Sequence, residues 1–401
     1  MSFFRFCSRL GHLTVVAVLV ALCASCRDDS TSFIFFTDTH FPDSEPEQAA
    51  LLEPICRTEG VTRVIWGGDA ISRYADPDSA WAIQLDVEKQ ISRFAAVYNV
   101  RGNHDFSRRV RPGEEGTGST LSQEETARRL SAVRGQDAIQ NDADPGACYY
   151  YFDDVKAQVR FLVLDTHDEV PDQNVAMGTR YGMGQVQLQW VCTQAIGTVP
   201  PDWSLLVFSH APVWWPGMTE KYEEAFAQIL AAARDRGVPI LAWMSGHIHR
   251  DTQLAQDGLW EITTYCYTPT APRVLMFDTE KTMRDGADRP CFEVATLEKG
   301  HKILRLRRVG AGHSRTFHLE PHVLKEGSSL KIRPRMNVVS RWECLDAYGN
   351  YLHHEKWTFE CRSVTLDPAT GTVTAMQEGE AMVVAIAPDG ERESFLIQVK
   401  P

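Results

Sequence analysis

An α/β domain with much of its sheet parallel, followed by a small all-β sandwich, is the architecture that this 401-residue sequence predicts. Three observations predict it. From Ser32 to about Leu319, short continuous apolar runs alternate with amphipathic stretches, the pattern of strands buried on both faces and covered by helices. Polar fragments of similar kind follow directly after several of those runs. Beyond Glu320-Pro321 helical periodicity stops, and only strand and turn signals remain as far as Pro401. A hydrophobic content of 43% at this length suffices for two domains with a large core.

The chain opens on a segment of a different kind. Arg5 and Arg9 precede the apolar run Leu13 to Leu22, which ends at Cys23-Ala24-Ser25-Cys26. A basic region, a run of roughly ten apolar residues and small residues at its end read as an export signal too short to span a bilayer, so residues 1–25 are excluded from the fold. Small residues followed by Cys26 resemble a bacterial lipoprotein signal, in which that cysteine becomes the lipidated first residue; Cys23 stands where such signals carry an aliphatic side chain. The alternative is an ordinary secretory signal cut near Ser25. Either way the expected location is outside the cytoplasm, in the periplasm or at the cell surface, with membrane contact only through the lipid anchor.

Strands are predicted over Phe33 to Thr37, Val61 to Trp66, Ala96 to Val100, Val159 to Leu164, Leu205 to Phe208 and Ile240 to Met244. Helices are predicted between them over Glu47 to Thr58, Ser79 to Ala95, Ser122 to Val133, Gln185 to Ala195 and Tyr222 to Arg236, the last closed by Gly237. After His249 five further strands are expected, Trp260 to Thr264, Val274 to Phe277, Cys291 to Leu297, Ile303 to Arg308 and Ser314 to His318, completing a domain of residues 32–319. In the tail, 320–401, strands Val364 to Leu366, Val373 to Met376, Ala381 to Ala387 and Phe395 to Val399 are divided by the turns Asp367 to Gly371 and Pro388-Asp389-Gly390. The stretch SVTLDPATGTVTAMQEGEAMVVA resembles bacterial immunoglobulin-like domains, which implies a β-sandwich there.

Seven cysteines remain after the signal and Cys26, with no CxxC pair, which argues against a cysteine-built metal site; Cys344 and Cys361 are the most local pair for a bridge. The formal net charge of −12 disfavours nucleic acid as a partner, because phosphate backbones are held by clustered Lys and Arg. An anionic substrate must be attracted locally.

The polar fragments are Asp38-Thr39-His40, Gly68-Asp69, Gly102-Asn103-His104-Asp105, Ser209-His210 and Gly246-His247-Ile248-His249. In an open α/β sheet, ligands gather beyond the carboxyl ends of the strands, where all five lie. Carboxylate, amide oxygen and imidazole together favour Mn, Fe or Zn over Ca, and a carboxylate such as Asp69 can bridge two ions. A lone histidine near a core is usually a hydrogen-bonded core residue. Here six histidines lie between residues 32 and 300, and all but His167 fall in the fragments. His167 is expected to have a structural or rim role.

In order and spacing, DTH, GGD, GNHD, SHAP and GHIH resemble the calcineurin-like metallophosphoesterase superfamily over residues 33–249, and the helix with Gln187 and Trp190 is similar to the one that precedes the family's SH motif. The resemblance implies a four-layer α/β/β/α sandwich with two mixed sheets. It implies Asp38, His40 and His249 as ligands of a first metal, Asn103, His210 and His247 as ligands of a second, and Asp69 as the bridge. A hydroxide between the ions would attack phosphorus in line with the leaving oxygen, and His104 would protonate the leaving group or stabilise the phosphate charge. Ser72 replaces the tyrosine of purple acid phosphatases and the aspartate of the protein phosphatase pattern, while Arg73 is a candidate phosphate contact. Trp214, Trp215, Tyr265 and Tyr267 are read either as aromatic walls of the site or as core packing.

The expected function is an exported dinuclear-metal-dependent phosphoesterase acting on phosphomonoesters or phosphodiesters, small or lipid-derived. The alternatives are a nuclease of the same fold, which charge and export disfavour, and a non-catalytic surface adhesin using the fold as a scaffold, against which the intact ligand set speaks.

Overall fold

The computed structural model describes residues 30–108, 119–168, 181–213, 220–268, 274–275, 290–298, 300–346 and 361–401. The signal segment with Cys26, and also Trp214 and Trp215, lie outside the described residues. In chain order the α/β part runs β1 (Thr31–Phe36), α1 (Gln48–Glu59), β2 (Arg63–Trp66), α2 (Pro77–Ile91), β3 (Ala96–Asn99), α3 (Gln123–Leu130), β4 (Tyr150–Asp154), β5 (Val159–Val163), α4 (Gln185–Trp190), β6 (Ser204–Phe208), α5 (Glu220–Arg236), β7 (Ile240–Ser245), β8 (Arg250–Gln256), β9 (Leu259–Thr263), β10 (Cys291–Leu297), β11 (Ile303–Gly310) and β12 (Arg315–His318). The tail adds β13 (His322–Lys325), β14 (Ser329–Lys331), β15 (Arg341–Asp346), β16 (Val364–Asp367), β17 (Thr372–Ala375), β18 (Gly379–Ile386) and β19 (Arg392–Lys400).

Local chemistry sets the helix limits. Asp76 accepts the Ser79 amide, with Pro77 in the first turn, so α2 starts before the predicted Ser79. Ser122 likewise caps α3 through the Glu125 amide. Past Trp190, α4 widens into a π-helical segment, Val191–Ile196. No described helix is long and apolar enough to cross a membrane.

Two mixed sheets form the frame. The ten-stranded sheet runs β15-β18-β19-β12-β11-β10-β1-β2-β3, with β13 also on β19; β1, β2 and β3 are parallel, and β10 joins β1 antiparallel. The eight-stranded sheet includes β8-β9-β7-β6-β5-β4, parallel from β9 through β5. Phe33, Phe35, Phe161, Phe208, Met244 and Trp260 fill the space between the sheets. On the outer face of the first, Leu52 and Cys56 of α1 and Val87 and Ile91 of α2 cover Ile34, Val64 and Trp66. Leu188 of α4 with Phe226 and Ile229 of α5 covers Leu205, Val207 and Trp243 on the second. Helix, sheet, sheet, helix is the resulting layering.

The tail is strand-rich, and its larger sheet does not stand apart. β12 pairs in parallel with β19, Arg315 opposite Arg392, so one sheet passes through the predicted boundary at residue 320. Side chains alternate across a strand, and β18 uses both faces. Met382, Val384 and Ile386 join the core between the main sheets, whereas Ala381, Val383 and Ala385 face a private core under the three-stranded sheet β14-β17-β16. Cys344 and Cys361 both pack against that private core as thiols.

Candidate metal centre

Each polar fragment follows the carboxyl end of a strand: Asp38 and His40 after β1, Asp69 after β2, Asn103 and His104 after β3, His210 after β6, His247 and His249 after β7. The first three strands belong to one sheet and the last two to the other, so the site lies across the mouth of the interlayer. Asp38, His40 and His249 bring ligand atoms within 4.8 Å of one another, as do Asp69, His210 and His247, and also His40, Asp69 and His104. Asn103 is buried in the same loop as His104.

Local backbone conformation makes this convergence possible. Asp38, His40, Asp69, His247 and His249 all have positive φ, between 50° and 67°, a region that costs a side-chain-bearing residue about 1–3 kcal/mol. Glycines let the loops close. A Cβ on Gly246 would lie 2.6 Å from Asp38 Oδ2, and one on Gly68 (φ 96°) would lie 2.6 Å from His210 Nδ1. Asp105 clamps two loops together, its carboxylate accepting the amides of Asp69 (3.0 Å), Ala70 (2.8 Å) and Gly102 (2.7 Å).

The two central carboxylates each divide their oxygens. Asp38 Oδ2 accepts from Thr37 Oγ1 (2.7 Å) and the His247 amide (3.0 Å). Its Oδ1 is buried without a hydrogen bond, facing Nε2 of His249 at 3.2 Å, His40 at 3.7 Å and His210 at 4.0 Å. Asp69 Oδ1 accepts the His104 amide (2.7 Å), while Oδ2 faces Nε2 of His210 (3.2 Å) and of His104 (3.5 Å). A buried carboxylate oxygen ringed by imidazole nitrogens is the donor set of a borderline divalent cation, so these residues fit metal binding. His210 donates Nδ1–H to Gly67 O at 2.8 Å, which leaves Nε2 as the nitrogen turned to the cluster.

Electrostatics agree with that fit. Burial favours the neutral acids, yet the imidazoles of His249 and His210 hold Asp38 well below the usual carboxylate range, and His104 and His210 do the same for Asp69. Burial opposes charge on His210, but Asp69, then Asp38, push it up to about 10. An imidazolium between two carboxylates occupies the electrostatic role of a cation, and metal binding would displace its proton. Burial lowers His247 to about 4 and His104 to about 3, so both rings are neutral. Arg73 is half-buried, and its charge contributes to the depression at His104.

Around the cluster stand His167 and Gln187, which the sequence pointed to, and Arg101 and Tyr181, to which it gave no role. Arg101 is buried in an ion pair with Asp165 (2.8 Å), and Gln187 holds that loop through the Asp165 amide and carbonyl, both at 2.9 Å. His167, two residues on, packs its ring 6.0 Å from that of His210, with Nε2 buried and unpartnered. Tyr181 reaches His247 Nε2. The contacts of Arg101 and Tyr181 join segments far apart in the chain, so no local pattern signalled them. Tyr265 and Tyr267 are core aromatics, the first under Arg308 and the second against Phe36.

A family model described as calcineurin-like phosphoesterase matches residues 31–251. The chain is similar in structure to a dimetal phosphatase from Danio rerio, at 19% identity and a TM-score of 0.49, covering 71% of this chain and 98% of that one. It is also similar to GAP50, the anchor in the inner membrane complex of Plasmodium (14% identity, TM-score 0.41, 69% and 84% covered). A putative 5′-nucleotidase from Staphylococcus aureus is a third such structure (15%, 0.38, 67% and 51%). No curated protein matches the sequence.

Proposed function

We infer that this chain, which belongs to the calcineurin-like phosphoesterase family, hydrolyses phosphomonoesters or phosphodiesters with the help of two metal ions. The observation that carries the reading is the position of Asp69, whose carboxylate takes part in the group with His210 and His247 and in the group with His40 and His104. Asp38, His40 and His249 would hold one ion, Asn103, His210 and His247 the other, with Asp69 between them. Mn, Fe or Zn suits this donor set. When bound, such ions lower the pKa of a water and offset the charge of phosphoryl oxygens.

The remaining work belongs to side chains. His104 lies beside Asp69 with a buried, unpartnered Nδ1, and as a neutral ring it has one N–H to donate to a phosphoryl or leaving-group oxygen as charge develops there. Arg73 adds positive charge on the same side. Residues 31–251 thus supply the chemistry. Export with Cys26 as the lipid anchor follows from the N-terminal pattern, which holds the hydrolase in the periplasm or at the cell surface, and the strand-rich tail is read as an immunoglobulin-like unit.

The test uses the purified mature protein with Mn, Fe or Zn against a chromogenic monoester, a chromogenic diester, cyclic nucleotides, glycerophosphodiesters and nucleotide sugars. Metal-dependent turnover of at least one class, abolished in His210→Ala, is expected. Binding of two ions with no turnover in the whole panel, and a His210→Ala variant changed only in stability, would sink the reading.

A further inference from the structure

We propose that Tyr181 is a positioning residue for the second metal site, holding the His247 imidazole in the tautomer that presents the Nδ1 lone pair to the ion. The inference rests on the two-ion reading above. Tyr181 Oη lies 2.6 Å from His247 Nε2, on the side of the ring away from the cluster. The other nitrogen, Nδ1, lies 3.2 Å from His210 Nε2, and that atom faces Asp69 Oδ2 at 3.2 Å. His247 therefore points Nδ1 at the metal cluster and Nε2 at a phenol.

A neutral imidazole carries its proton on one nitrogen only, and a ligating nitrogen must be the other one. For His210 a carbonyl that can only accept, Gly67 O, keeps a proton on Nδ1, so the proton given up on metal binding is the one on Nε2. For His247 an ion on Nδ1 requires the ring proton on Nε2, and in that tautomer the phenol oxygen is the acceptor placed to receive Nε2–H. Without an oxygen there, the proton can settle on Nδ1 and block ligation. Tyr181 is well placed to enforce the choice: it is buried, and its ring packs edge-on against His247 (5.3 Å between centroids), His167 (5.4 Å) and Tyr222 (6.4 Å). In the first site the arrangement differs, since His40 and His249 face each other Nε2 to Nε2 at 3.1 Å. The effect of Tyr181 is thus confined to the second ion.

Tyr181→Phe removes the oxygen and keeps the ring. Chelator-stripped full-length protein is titrated with Zn by calorimetry, and the protonation of each His247 nitrogen is read from long-range 15N–1H NMR of the metal-free form. The wild type should show Nε2 protonated and bind two ions. In Tyr181→Phe one of the two steps should lose about 10–100-fold in affinity with the other unchanged, the size expected for loss of a ligand's outer hydrogen bond. Tyr222→Phe, which takes a phenol from the same aromatic group without touching His247, should match the wild type. Nδ1 protonated in the wild type, unchanged binding in Tyr181→Phe, or an equal loss in Tyr222→Phe overturns the proposal. Failure of the wild type to take up two ions would overturn the two-ion reading instead.

Discussion

Two clusters of buried charge lie within a few residues of each other in the chain and are balanced in opposite ways. At the base of β8, Arg308 Nη2 meets Asp251 Oδ1 at 2.7 Å and Glu293 Oε1 at 2.6 Å, and Arg315 Nη2 meets Glu293 Oε1 at 2.9 Å. Two carboxylates are thus matched by two guanidinium groups, and the arginines also donate to backbone carbonyls of Ala311, Thr252 and Thr263. Two residues before Asp251 stands His249, part of the other cluster. There, among the described residues, every ionic partner of Asp38 and Asp69 is a histidine. Burying charge costs several kcal/mol per ion unless it is compensated, so a cluster with its own counterions is a structural device and one that lacks them is built to receive a cation.

The comparison can be broken most directly at Asp69. Asp69→Ala should lower kcat/KM on any accepted ester by about ten-thousandfold, some 5 kcal/mol, and lower the bound metal per chain. Retention of both ions and of turnover would mean that the carboxylate is not shared. Next in size is Glu293→Ala, which leaves two guanidinium groups with a single carboxylate. It should cost about 3–5 kcal/mol in urea unfolding, equally with and without chelator. A loss that vanished when metal was removed would place Glu293 in the metal centre's function and erase the distinction.

Glu88 sharpens the contrast as a third solution, since it is buried against the amides of Gln84 and Asn99, with the charge of Arg134 a weaker influence. Burial pushes its pKa up to about 7, against the hydrogen bonds from Gln84 and Asn99, so the folded state keeps it protonated. A raised carboxyl pKa means that stability is greatest below the ordinary value of 4.5 and falls as pH rises through about 7. Glu88→Gln should therefore match the wild type at low pH and exceed it at pH 8 by about 3 kcal/mol; equal stability at pH 8 would remove Glu88 from the comparison. The smallest effect concerns the tail's hold on the strand after His249. Gln253 Nε2 of β8 donates to Ser394 Oγ of β19 at 2.6 Å, and Ser394→Ala should cost about 1 kcal/mol by urea unfolding without changing metal affinity.

The convergence of the polar fragments was legible in the sequence because each couples a buried strand to ligand types that rarely meet by accident. Helix limits were legible where a cap residue such as Ser122 stood at the expected place. Sheet continuity was not. The pairing of β12 with β19 joins residues some eighty positions apart, and parallel registry leaves no local trace in either strand. For the same reason Asp105 reads as one more polar residue of GNHD until its carboxylate is seen gripping the amides of Asp69 and Ala70. Tyr265 and Tyr267 could be read as walls or as core because aromatic composition does not reveal which way a strand end faces.

The continuity of the first sheet has a bearing on solubility. With β19 in place, the backbone edge of β12 is capped, and among the described residues the sheet instead ends on β15, where Arg341 and Glu343 pair at 2.8 Å and put charge on the border. Cut the chain at Leu319 and β12 becomes a bare edge beside Phe317, an invitation for a second molecule to add its own strand. Such a shortened chain is expected to self-associate, with light scattering rising with concentration while the intact chain stays constant. In that sense the C-terminal strands serve the α/β part as a guard against polymerisation.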